Sequence, residues 1–183
     1  MRGLPFFFPM KRLFPLAWFV VLVAALGAAV PVQVTPVRVP HGVVVAAHPE
    51  ASAAGVGVLQ AGGNAIDAAI ATSLALGVAE PYGSGLGGKL MLLYFEAKSG
   101  RTFVVEAMDA AGSLEVAAYR SRPEEDRSYG YGSVCVPGLP AGLWTAHQRW
   151  GTKPWADDVA PAITLARRGF EILPKSRDFF EEQ

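Results

Sequence analysis

The chain has 183 residues, 51% of them hydrophobic, and its 16 basic and 16 acidic residues cancel to a formal net charge of zero. That length supports one domain with a sizeable core and is short for two ordinary ones. Without a basic excess there is no electrostatic footprint for nucleic acid: Arg120, Arg122 and Arg127 are interleaved with Glu124, Glu125 and Asp126 in what reads as a solvated loop.

The first thirty residues stand apart. Arg2, Lys11 and Arg12 are their only charges, and an uncharged stretch from Leu13 to Val30 follows, which is the layout of a secretory signal peptide. Small residues at Ala25, Gly27, Ala28 and Ala29 offer cleavage positions. Loss of this leader would leave 13 basic against 16 acidic residues, a formal charge of −3. The rival reading is an uncleaved membrane anchor over residues 13–30, because that apolar stretch approaches the roughly 20 residues that cross a bilayer. Residues 1–29 are therefore expected to be a signal peptide or anchor, and 30–183 the domain, secreted, periplasmic or otherwise extracytoplasmic. A membrane would be met only through an uncleaved leader.

Beyond it, the β-branched run Gly42 to Ala47 lies between Pro40 and Pro49 and predicts a short strand. Ala51 to Gln60 predicts a helix that stops at Gly62-Gly63, where glycine accepts the left-handed conformation without a Cβ penalty. Asn64 is suited to cap the next helix, with Asp67 placing a carboxylate in its first turn. That helix should run from Ala65 to Ala79. Ile66, Ile70 and Leu74 recur every four residues among alanines, the pattern of a slim inner packing helix.

Pro81 ends it, and a glycine-rich stretch from Gly83 to Gly88 leads into Leu90 to Phe95, apolar enough to predict a strand buried on both faces. Thr102 to Ala107 should pair with it across a turn at Gly100. Ser113 to Gly132 reads as a short helix followed by a surface loop, and Ser133 to Val136 as one more strand. Pro140 to Trp150 and Trp155 to Arg168 predict two amphipathic helices separated at Gly151. The segment after Leu173 offers no closing core element. Cys135 is the lone cysteine, so no intrachain disulfide forms, and its place between Val134 and Val136 predicts a buried, inert thiol.

Gly83-Ser84-Gly85-Leu86-Gly87-Gly88 matches the dinucleotide pattern G-x-G-x-x-G, and with Lys89 nearly a phosphate loop. Both readings fail on context, because phosphate cradles need a strand before the glycines and a helix after them. Here the predicted order is reversed, and Leu90 stands where a Ser or Thr would meet magnesium. His41, His48 and His147 are scattered without partners at metal-ligand spacing, so no metal and no cofactor is expected. His48, before Pro49, reads as a local hydrogen-bonding residue, and Ser84 lacks the strand-turn-helix context of a nucleophile elbow.

Several stretches in order carry a further signal: His48-Pro49-Glu50-Ala51-Ser52, the run Gly62 to Ile70, Glu80 to Gly88, Ser133 to Gly138, and Ala160-Pro161-Ala162-Ile163 with Gly169-Phe170. From about Gly42 to Ile172 the chain resembles the gamma-glutamyltranspeptidases, specifically the N-terminal part of their large subunit. The resemblance implies an α/β (α+β) fold, part of an N-terminal-nucleophile hydrolase α-β-β-α sandwich that is incomplete in this chain. It implies an extracytoplasmic enzyme of glutathione metabolism, a hydrolase and acyltransferase, whose catalytic threonine opens a separate C-terminal small subunit. That subunit would be the missing partner and a gamma-glutamyl small molecule the substrate. No catalytic residue is therefore expected here, and Thr72, Thr102, Thr145 and Thr164 are not assigned the role.

Two departures from the family pattern bear on substrate. Where the family carries Asp-x-Arg-Glu-x-Ala-Pro, this chain has Glu106-Ala107-Met108-Asp109-Ala110-Ala111-Gly112, so the substrate-binding positions are Met108, in place of the arginine, and Asp109, in place of the glutamate. The resemblance implies that the arginine binds the substrate α-carboxylate, a charge-assisted contact that methionine cannot make. Lys89 likewise replaces one of a run of glycines. Three readings stay open: a gamma-glutamyltranspeptidase-like fragment, a fragment of a related amide acylase with a non-glutamyl substrate, and a non-catalytic remnant or binding module.

Overall fold

A computed structural model describes residues 36, 38–112 and 116–181, and the leader expected over residues 1–29 lies outside them. The elements below belong to one unit, Pro40–Gln183. In chain order they are α1 (Pro49–Gln60), α2 (Ala65–Ala79), α3 (Pro81–Ser84), β1 (Leu90–Glu96), β2 (Arg101–Ala107), α4 (Val116–Arg120), α5 (Glu124–Ser128), α6 (Leu139–Trp150), α7 (Trp155–Arg168) and α8 (Pro174–Glu181). The fold is α+β, with helices against one face of a two-stranded antiparallel sheet.

Helix α2 is the hub. It begins in a reciprocal capping box: Asn64 Oδ1 accepts from the N–H groups of Ile66 (2.8 Å) and Asp67 (3.0 Å), and Asp67 Oδ2 accepts from Asn64 N–H at 2.8 Å. Its alanine-rich surface lets neighbours approach from several sides. Ala75 and Ala79 pack with Ala51 of α1 and Ala162 and Leu165 of α7. Ala68 and Ala71 pack with Val58 of α1. Ile66 and Ile70 pack with Leu139, Leu143 and Ala146 of α6, against Leu90, Leu92 and Tyr94 of the hairpin. At the α1–α2 crossing a Cβ on Gly55 would lie 2.1 Å from Thr72 Oγ1 and 3.1 Å from the Ala68 carbonyl oxygen, so only glycine permits this approach.

His48 caps α1 through Nδ1, which accepts from Glu50 N–H at 3.2 Å. Gly62 ends that helix with φ 84°, and Gly100 turns the hairpin with φ 67°, both as expected from sequence.

Other expectations are corrected. Gly42 to Ala47 is not a strand, because among the described residues no neighbouring strand supplies ladder partners; instead Ala46 N–H donates to Ser52 Oγ at 3.0 Å. Ser133 to Val136 forms only an isolated bridge, Val136 to Ala110. Cys135 is exposed rather than buried, since the Val134–Val136 run is itself uncovered. The end of the chain does form an element, α8, where Phe179 stacks on Tyr82 at 4.2 Å and Tyr82 Oη pairs with buried Ser176 Oγ at 3.3 Å. In Ser113 to Gly132 the expected short helix is α4, and the loop expected after it contains a second short helix, α5.

The hairpin also departs from the reading that both its faces are buried. Leu92 pairs with Val105 and Tyr94 with Phe103 on the helix side, where Trp150 meets both rings. The opposite face carries Met91, Leu93 and Phe95, 69%, 73% and 61% exposed, together with Val104. Alternation by two residues allows one covered face, and these helices supply only one cover.

One buried carboxylate fastens α2 to the turn between α6 and α7. Asp67 has no exposed surface and accepts from Thr152 N–H (2.9 Å), Thr152 Oγ1 (2.5 Å) and Lys153 N–H (3.3 Å), besides Asn64. Replacement by the isosteric amide in Asp67→Asn would face a donor against these N–H and O–H groups. It is expected to cost about 2–4 kcal/mol in denaturant unfolding followed by tryptophan fluorescence; a loss below about 0.5 kcal/mol would contradict the fastening role.

Candidate functional site

Three chain-distant segments converge where β2 ends. Ala110 exchanges both backbone hydrogen bonds with Val136 (3.0 and 2.8 Å), which lays the segment 133–138 beside the residues leaving the strand. Gly138 makes the approach possible: a Cβ there would stand 2.3 Å from the carbonyl oxygens of both Ala107 and Met108. From the other side, Leu139 N–H donates to the Gly88 carbonyl at 3.1 Å, so the glycine-rich turn is tied to the start of α6. In place of the strand-before, helix-after order of a phosphate cradle, α3, which takes in Gly83, comes first and β1 follows the turn.

The sequence-predicted positions Met108 and Asp109 lie on this junction and are both exposed, Met108 by 42%. Lys89 Nζ stands 3.7 Å from Asp109 Oδ1, an exposed pair that screening leaves weak but that places the one basic side chain of the glycine turn beside the position-109 carboxylate. The junction thus presents an apolar side chain at 108, a carboxylate at 109 and an ammonium at 89 around a glycine turn. These groups are exposed to contact from solvent, and among the described residues none of the three is a nucleophile paired with a base.

A second grouping lies in the interior and was not legible from spacing. His147 on α6 and Asp158 on α7 approach Asp67, and one ligand-type atom from each lies within 4.8 Å of the others. Burial pushes the Asp67 carboxyl up, but the Thr152 hydroxyl and the N–H groups of Asn64, Thr152 and Lys153 outweigh it and hold the group below the usual carboxylate range. Asp158 goes the other way, to about 6, through burial and the nearby Asp67 charge, with His147 only partly offsetting them. Trp144 stacks on the His147 ring at 5.6 Å and Trp155 meets it edge-on at 5.2 Å. The intervening positions 67, 147 and 158 belong to three helices, which is why no local pattern marks them.

A cavity of about 590 Å³ also lies between α1 and α7, floored by Gly57, Ala75 and Pro161 and edged by the Glu50–Arg168 ion pair. It shares no residue with the junction at Met108.

A family model described as gamma-glutamyltranspeptidase matches residues 51–183. Among curated proteins, glutathione hydrolase 3 of Arabidopsis thaliana is 39% identical over 137 residues, covering 73% of this chain and 21% of that protein. The acylase ACY 1 proenzyme of Pseudomonas sp. strain V22 is 41% identical over 146 residues, covering 73% and 26%. The crystal structure of Helicobacter pylori gamma-glutamyltranspeptidase superimposes with a TM-score of 0.71 at 29% identity, over 81% of this chain and 44% of that one. The chain thus spans about a fifth to a quarter of the length of these curated relatives. It belongs to the gamma-glutamyltranspeptidase family.

Proposed function

We propose that the chain is the N-terminal part of the large subunit of a gamma-glutamyltranspeptidase-like enzyme, which transfers the gamma-glutamyl group of glutathione-type substrates to an amino acid or to water. The nucleophile in this reading is a threonine heading a small subunit encoded beyond Gln183, acting through its own amine as base. A leader within residues 1–29 would deliver the enzyme outside the cytoplasm. The observation that carries the reading is the bare apolar face of the hairpin, Met91, Leu93, Phe95 and Val104, on a chain that matches only part of its relatives' length. An apolar sheet face of this kind is ordinarily the inner side of a second layer.

Met108 favours a second reading, an amide acylase with a non-glutamyl acyl group. The family's arginine is absent there, and one of the similar proteins is an acylase proenzyme. Lys89 and Asp109 remain as the charged groups at the junction.

The DNA following the Gln183 codon, read in all three frames, tests the shared premise: a threonine-led second subunit is expected, and its absence would leave a non-catalytic remnant. Leu93→Lys with Phe95→Lys should raise the soluble, monomeric yield of this chain expressed alone and abolish assembly with the second subunit, both read by size-exclusion chromatography. Unchanged assembly would remove the hairpin from the interface. In the assembled enzyme, Met108→Arg should raise kcat/KM for gamma-glutamyl donors by about 10- to 100-fold if glutamyl recognition was lost at this position, the equivalent of one charge-assisted hydrogen bond. No gain would refute the argument that a glutamyl contact was lost at position 108.

A further inference from the structure

The interior grouping of Asp67, His147 and Asp158 contains an imbalance that protein atoms alone leave uncorrected. Asp158 is wholly buried, yet neither carboxylate oxygen receives a hydrogen bond. The His147 ring nitrogen Nε2 is 3.7 Å from Asp158 Oδ2, beyond hydrogen-bond reach. A buried carboxylate without donors costs several kcal/mol, and natural interiors avoid it by pairing the charge or binding a cation to it. The Lys153 ammonium is directed elsewhere, since its Nζ donates to the Ala61 carbonyl.

We propose that Asp158 and His147, with Asp67 on the third side, form a binding site for a divalent transition-metal ion of the zinc class. Imidazole and carboxylate are the donor set such ions take. His147 Nε2–H donates to the Lys153 carbonyl oxygen at 2.9 Å and stands 3.7 Å from Asp158 Oδ2, so the ion would replace that ring proton, which leaves to solvent as the metal binds. These spacings bracket the edge of about 3.3 Å expected between ligand atoms of a tetrahedral zinc site with bonds of about 2.0–2.1 Å. Asp158 brings two unused oxygens. Asp67 keeps its four donors and faces the ion as a countercharge from the third side. The Lys153 carbonyl completes a set drawn from α6, α7 and the turn that Asp67 fastens, so the ion would cross-link those helices beside α2.

The test uses the full chain, stripped of metal with a chelator and titrated with zinc chloride and, separately, cobalt chloride. One equivalent of zinc is expected to bind and raise the thermal midpoint, with a change in the fluorescence of Trp144 and Trp155, whose rings touch His147. Cobalt should give the intense visible absorption of a tetrahedral site. Asp158→Asn and His147→Gln should each weaken zinc binding by more than about 100-fold, the upper range already seen for residues that merely orient metal ligands. Asp157→Asn, at an exposed neighbour, should leave binding intact. Absence of stoichiometric zinc binding, or undiminished binding by folded Asp158→Asn, would overturn the proposal and leave a water or a histidine–aspartate ion pair in its place. Should Asp158→Asn not fold, the cobalt spectrum of the unaltered chain decides: weak octahedral bands overturn the site and intense tetrahedral bands support it.

Discussion

Asp67 holds the helical layer together. A carboxylate buried this completely is stable only if its lone pairs are filled, and here four donors fill them: two from Thr152, one from Lys153 and one from Asn64 at the head of α2. The donors come from the start of α2 and from the turn between α6 and α7, so one side chain sets the placement of three helices. Every hydrophobic cluster among the described residues uses a face of α2, against which α6 and α7 both pack. Asn64 adds a second tie across the same seam, its side-chain amide donating to the Trp150 carbonyl at 2.6 Å.

The same crossing point separates two carboxylates by role. Asp67, filled with donors, stays ionised and structural. Asp158, a few ångströms away and shielded by the same helices, has no donors and is the group whose charge is least provided for. His147 stands near both, its ring stacked on Trp144 and met edge-on by Trp155. Unequal neighbours of this kind arise when one residue is committed to capping and its partner is free for another ligand.

Local chemistry made much of this layer readable in the sequence. The Gly62-Gly63-Asn64 stop and cap, the alanine surface of α2 and the bounds of α6 and α7 follow from residues a few positions apart. What escaped depended on distant partners. The apolar run Leu90 to Phe95 indicated a strand, but whether one face or two would be covered depends on layers that its own residues do not encode. Cys135 reads as interior from Val134 and Val136, while its exposure is set by the bridge at Ala110. The α8 contacts to Tyr82 span 94 residues, and the grouping of His147 with Asp67 spans three helices. At the β2 junction, Met108 and Asp109 were located by motif alignment, whereas the convergence of segment 133–138 upon them emerged only in three dimensions.

The backbone at position 108 is held from outside its own side chain. Gly138 packs directly on the carbonyls of residues 107 and 108, the Ala110–Val136 bridge fixes the next residues, and the Met108 side chain itself is partly exposed. Such an arrangement separates frame from side chain: the exposed residue at 108 can be exchanged without disturbing the backbone that presents it. Substitution at 108 is thereby uncoupled from the fold, while the glycine thirty residues downstream is the one with no room for a side chain.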